Sequence, residues 1–82
     1  MTTKQKLQKL NKDYFDDSYF EYLNYNIESP LTLSRILATY LYDADFDFLP
    51  ESWMLLKKIG KIFGSKMEER VLKNLFYRNH DT

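Results

Sequence analysis

The chain has 82 residues, of which 44% are hydrophobic and 17% aromatic, with no cysteine and a formal net charge of zero. That length limits it to a single domain spanning 1–82, able to bury only about 60% of the surface its unfolded chain exposes, and the apolar content excludes an intrinsically disordered chain. Without cysteine, neither disulfides nor thiolate metal sites can staple it, so helix packing must supply the stability.

Five helical segments follow in chain order. Thr2-x-x-Gln5 has the form of a capping box, and Leu7, Leu10 and Tyr14 recur behind it at helical spacing, which predicts a first helix over Thr3 to Asp13. Residues 1–12 hold charges throughout and no apolar run of signal length, and no later stretch approaches about 18 uninterrupted apolar residues. A cytoplasmic chain with no membrane partner is expected. Ser18-x-x-Glu21 repeats the capping box, and Tyr19, Leu23 and Ile27 recur at intervals of four. A short second helix is therefore expected after a kink near Asp16 and Asp17, ending at Ser29 and Pro30.

Pro30 suits a first helical turn, with Ser29 as its cap. Leu33, Ile36, Leu37, Tyr40, Leu41 and Ala44 continue as one apolar stripe, the clearest helix in the sequence. Residues 43–49 then alternate acid and apolar side chains like a strand, but no second alternating run exists to pair with it. A loop with Phe46 and Phe48 turned inward is expected instead.

Pro50 opens a fourth helix in which Leu55, Leu56, Ile59, Ile62 and Phe63 face one way and Lys57, Lys58 and Lys61 another. Gly64 is placed to end it in the left-handed conformation. Ser65-x-x-Glu68 makes a third capping-box pattern, followed by Met67, Val71, Leu72, Leu75 and Phe76 on one face. The fold class is thus all-α: a compact bundle of four to five short helices, the last two joined by a tight Gly-Ser turn.

The zero net charge is made of three unequal blocks. Residues 1–12 carry four lysines and no acid, residues 13–56 nine acids against Arg35, and residues 57–82 seven bases against three acids, giving +4, −8 and +4. In the stretch 13–22 the aromatics outnumber what one short helix can bury, so tyrosines should stand at the surface beside carboxylates. That composition makes interface anchors. The expected partner-binding residues are Asp13, Asp16, Asp17, Tyr19, Glu21 and Tyr22, with Asp43, Asp45 and Asp47 from the following loop. An acidic and aromatic surface suits a protein partner with a basic surface, including one that normally holds nucleic acid, because carboxylates can occupy phosphate positions.

Chemistry finds few candidates. His80 is the sole histidine and follows the last apolar position, so neither a Cys/His nor a Ser/His nucleophile can be assembled. Asp43-x-Asp45-x-Asp47 opens like a calcium loop, but Phe48 stands where a glycine is needed and Met54 where a bidentate glutamate is needed. No catalytic residue, metal or cofactor is expected.

The segment Ile59-Gly60-Lys61-Ile62-Phe63-Gly64, with Glu68-Glu69-Arg70-Val71 behind it, resembles the helix-turn-helix of bacterial repressors and of the promoter-binding region of sigma factors, in which a small residue four before the turn glycine lets two helices pack closely. The resemblance covers some 20 of the 82 residues. Apolar positions after Gly64 fall one residue late, which implies a longer turn. It implies that Lys66, Arg70, Lys73, Asn74 and Arg78 face DNA from a recognition helix. The large acidic block opposes that reading, since phosphate binding draws on a surplus of Lys and Arg.

Residues with A/T-rich codons (Phe, Tyr, Met, Ile, Asn, Lys) total 34 against 9 for Gly, Ala, Arg and Pro, which points to an A/T-rich genome. The leading expectation is a non-enzymatic inhibitor or regulator from a phage or mobile element, aimed at host nucleic-acid machinery as anti-CRISPR proteins are. The alternatives are a helix-turn-helix transcription regulator and a helical immunity or assembly protein acting as a homodimer.

Overall fold

The computed structural model describes residues 1–44 and 50–80, the last three of these by backbone alone. Five helices and no strand occur among the described residues: α1 (Thr3–Leu10), α2 (Asp17–Tyr22), α3 (Pro30–Asp43), α4 (Pro50–Phe63) and α5 (Ser65–His80). The all-α expectation holds, and no described helix is long and apolar enough to cross a membrane.

At α1 the capping box forms as expected: the Gln5 amide donates to Thr2 Oγ1 at 3.2 Å and the Thr2 amide to Gln5 Oε1 at 2.9 Å. The helix stops at Leu10, three residues before Asp13. Asn11 is the reason. It turns extended, and its Oδ1 accepts from the amides of Asp13 (3.1 Å) and Tyr14 (3.0 Å), offering the backbone a side-chain turn in place of further helix.

The second helix is shorter than its periodicity suggests. Asp16, not Ser18, caps it by accepting from the Tyr19 amide at 2.9 Å, and Leu23 is already extended at its end. Leu23 and Ile27 pack on the core from outside the helix. Asn26 accounts for the loop by accepting from the Glu28 amide at 3.0 Å.

Ser29 caps α3 with Pro30 in its first turn. Half of this helix is buried: Leu33, Ser34, Ile36, Leu37, Ala38, Tyr40 and Leu41. The stripe ends one turn early, because Ala44 is exposed beyond the final turn. Ser34 is the one buried polar residue among those described. Its hydroxyl donates to the Leu31 carbonyl at 2.8 Å and accepts from Asn74 Nδ2 at 2.9 Å, so burial leaves no unpaired group. Helix α5 packs against both α3 and α4, and α1 lies on α4. Leu7, Phe15, Leu37, Leu41, Leu56, Ile59, Val71 and Leu75 fill the centre. The inward loop expected for Phe46 and Phe48 lies outside the described residues.

Between α4 and α5 the chain reverses through Gly64 alone, at φ 103°. A side chain would strain that backbone. Ser65 is already helical, since the Glu68 amide bonds to the Gly64 carbonyl at 3.1 Å, so the third capping box does not form. Released from capping, the Glu68 carboxylate lies over Gly60 and pairs with Lys57 at 3.1 Å. A Cβ added at Gly60 would collide with that carboxylate and come within 3.2 Å of the Glu68 Cβ. Gly60 is therefore the space that lets α5 cross α4 with Glu68 seated. Phe76, expected on the buried stripe, is more than half exposed.

Glycine in a helix interior costs about 1 kcal/mol relative to alanine, and here that cost is offset by seating Glu68. Gly60→Ala should therefore be less favourable in the wild-type background than in Glu68→Ala. A double-mutant cycle by denaturant unfolding should return a coupling of about 0.5–1 kcal/mol or more; additivity would show that the carboxylate does not hold the crossing.

Candidate protein-docking face

Helix α2 contributes no buried residue, so its position depends on neighbouring aromatics. Tyr14 packs edge-on against Phe15 and Tyr40, with ring centroids 4.8 Å apart in each case. Tyr19 meets Phe15 at 5.1 Å and Phe20 at 5.4 Å, both nearly perpendicular. Such edge-to-face pairs are worth about 0.5–1.5 kcal/mol beyond the area they bury. Phe15 is fully buried and Tyr40 is 5% exposed, so the junction runs from the α3 core outward to α2. Asn11 closes it from below, donating through Nδ2 to the Tyr40 hydroxyl at 3.0 Å.

Tyr19 was expected as a surface anchor. It is half-buried, packed edge-on against Phe15, and lines the grooves on either side of α2. Asp16 is exposed but committed to capping. Asp13, Asp17, Glu21 and Tyr22 do stand at the surface. Tyr22 is 88% exposed, with Tyr25 at 71% in the loop behind it. Asp17 faces Lys4 at 3.5 Å in a highly exposed pair, and Lys4 also lies over the Phe20 ring at 5.3 Å. A pair so exposed contributes little stability.

Asp43, distant in sequence, joins this face by accepting the Tyr14 hydroxyl at 2.7 Å. Asp45 and Asp47 lie outside the described residues. Burial pushes the Tyr14 phenol well above its ordinary range, and the hydrogen bond and negative charge of Asp43 push it further. Burial likewise raises Tyr19, with the Asp43 charge second. Both shifts favour the neutral phenol, and Tyr14 donates as one to the Asp43 carboxylate.

The alternative DNA-facing set is only partly assembled. Lys66, Arg70 and Lys73 are exposed on α5. Asn74 is not directed outward, because it bonds Ser34 across the α3–α5 contact. Lys73 pairs with Glu69 at 3.5 Å, placing an acid on the same surface. The side chain of Arg78 is outside the described residues. The turn implied by the resemblance is also corrected, since a single residue joins the two helices where a helix-turn-helix has about three to four.

The grooves around α2 are shallow. One is lined by Tyr14, Asp16, Ser18, Tyr19, Tyr22 and Leu23, and a second runs on to Arg35, Ile36 and Thr39 of α3. Among the described residues no cluster of three His, Cys, Asp or Glu is placed to hold a metal ion. The arrangement is suited to surface contact, with a flat acidic helix, a projecting phenol and a rigid aromatic base. Sequence reasoning missed Tyr14 as the link to Asp43, and it counted the two lysine-rich blocks separately although α1 and α4 lie side by side. Compared with known proteins, the chain matches no family model, no curated protein and no solved structure.

The raised phenols make alkaline stability diagnostic. A folded-state pKa above the unfolded value of 10.0 contributes stability that is fully present below that pH and is lost as the pH rises above it, because the unfolded phenol ionises first. Unfolding free energy measured by denaturant should fall above about pH 10, and Tyr14→Phe should flatten the fall. An identical decline in that variant would mean the Tyr14 phenol is not raised by its burial and by Asp43.

Proposed function

We propose that this chain is a small non-enzymatic regulator that docks onto the basic surface of a larger protein through α2 and inhibits it, the target being a complex that handles nucleic acid. The observation that carries the reading is Tyr22, 88% exposed on a helix with no buried residue, with Asp16 lining the same groove and Asp17 and Glu21 exposed on the same short helix. An aromatic ring held in water gains from burial in a partner's surface. The surrounding carboxylates select a cationic partner and steer its approach.

A protein surface that grips phosphates offers lysines and arginines in that arrangement, and exposed carboxylates can take the phosphate positions. Blocking such a surface inhibits its owner without any chemistry by the inhibitor. A phage or mobile-element origin in an A/T-rich bacterium, a cytoplasmic site of action and an anti-CRISPR-like role accord with this reading. The inward Asn74, the Glu69–Lys73 pair and the one-residue turn weigh against α5 as a recognition helix.

Affinity capture from nuclease-treated bacterial lysate tests this with two proteins. The wild type should retain a basic nucleic-acid-handling protein whose activity falls when the purified chain is added. The variant Asp17→Asn/Glu21→Gln/Tyr22→Ala should retain and inhibit at least tenfold less, while melting at the same temperature. Asp16 is left intact because it caps α2. Equal retention by wild type and variant would remove α2 as the docking face.

A further inference from the structure

Two shallow grooves meet along the outer side of α4. One is lined by Trp53, Met54, Lys57, Lys58 and Lys61; the other crosses from Lys6 and Lys9 of α1 to the same Lys58 and Lys61. Among the described residues no carboxylate lines either groove. The lysines come from the two blocks that flank the acidic stretch in the sequence, and the packing of α1 on α4 brings them together. Lys4 lies on the opposite flank of α1, against Asp17, so the helix divides its charges between the two faces.

The engagements of these lysines differ. Lys57 reaches Glu68, and Lys58 donates to the Leu10 carbonyl at 3.4 Å. Lys6, Lys9 and Lys61 make no ion pair among the described residues. Like charges gathered on one surface repel, and that repulsion is relieved by a polyanion. Met54 is 71% exposed and Trp53 38% exposed at one end of the same surface.

We propose that this α1–α4 face binds single-stranded nucleic acid, with Lys6, Lys9, Lys58 and Lys61 on backbone phosphates and the partly exposed Trp53 at one end of the track. Lysines at i and i+3 on two adjacent helices place positive charge along a line, which suits a polymer with a charge at every residue. Their ammonium groups contact phosphates as point charges and need no bidentate geometry. A partly exposed indole beside such a track is the stacking element of single-strand binders. An anionic membrane is disfavoured because most apolar residues of α4 are spent on the core: Leu56 and Ile59 are buried, Leu55, Ile62 and Phe63 pack against them, and only Trp53 and Met54 stand exposed. No broad apolar strip is left to sink among acyl chains. This surface is separate from α2, so the chain would touch a nucleic-acid complex with one face on its protein and one on its strand.

Fluorescence anisotropy of a fluorescein-labelled oligothymidylate over a range of salt concentrations tests the proposal, with emission of the single tryptophan as a second readout. The wild type should bind, quench that emission, and lose affinity steeply with salt. Lys6→Gln/Lys9→Gln/Lys61→Gln should lower the slope of log K against log salt by about 2, from about 0.7 per phosphate contact on a single strand. The corresponding lysine-to-arginine variant should restore the slope, which separates charge from misfolding. Lys66→Gln/Lys73→Gln on α5 and Asp17→Asn/Glu21→Gln/Tyr22→Ala on α2 should bind as the wild type does, so failure here is distinct from failure of the docking reading. The proposal is overturned if the slope and quench survive loss of Lys6, Lys9 and Lys61, if the α5 variant abolishes binding, if duplex DNA binds more tightly, or if only phosphatidylserine vesicles or a second copy of the chain respond to these substitutions.

Discussion

The contact of Phe15 and Tyr40 holds α2 and its acidic surface to the core. Helix α2 has no fully buried residue, and six residues are too few to form a stable helix unaided. What fixes it is the ring junction in which Tyr14 and Phe15 pack on Tyr40, and Tyr19 packs on Phe15. Tyr40 in turn is seated by a helix half of whose residues are buried. The acidic face is thus presented by a short element on an aromatic base that reaches the centre of the core. Such a base favours a preformed surface, which pays less ordering entropy on binding than a disordered segment does.

Charge is the second organising fact. A net charge of zero normally gives no directional field, but the fold separates the signs. Carboxylates gather on α2 and the end of α3, while lysines from α1 and α4 share another surface. The separation follows from packing: Leu7 and Leu10 dock α1 on the core with Lys4 on one flank and Lys6 and Lys9 on the other. Clustering like charges on one face adds no stability of its own.

Much of the fold was legible because a few residues have few uses. Pro30 and Pro50 start helices where expected, Gly64 takes a positive φ, and Thr2 with Gln5 closes its box. The capping pattern itself was the unreliable guide. Ser18-Glu21 and Ser65-Glu68 match it as well as Thr2-Gln5 does, yet neither forms: Asp16 takes the first cap, and the Gly64 carbonyl takes the Glu68 amide at the second. A box competes with whatever acceptor lies just upstream, and sequence spacing does not rank the two. Asn11 ended α1 by the same local competition. The acidic face was visible as composition, whereas the Tyr14–Asp43 bond and the meeting of the two lysine blocks depend on contacts between distant segments.

Segregation of the two charged faces is the claim on which the functional reading depends, and chemical-shift mapping tests it most directly. With ¹⁵N-labelled protein, an oligolysine peptide should move amides of Asp17 to Tyr22 and of Asp43. A single-stranded oligonucleotide should move Lys6, Lys9 and Lys58 to Lys61 instead. Overlapping shifts for the two probes, or shifts from both centred on α5, would contradict the account.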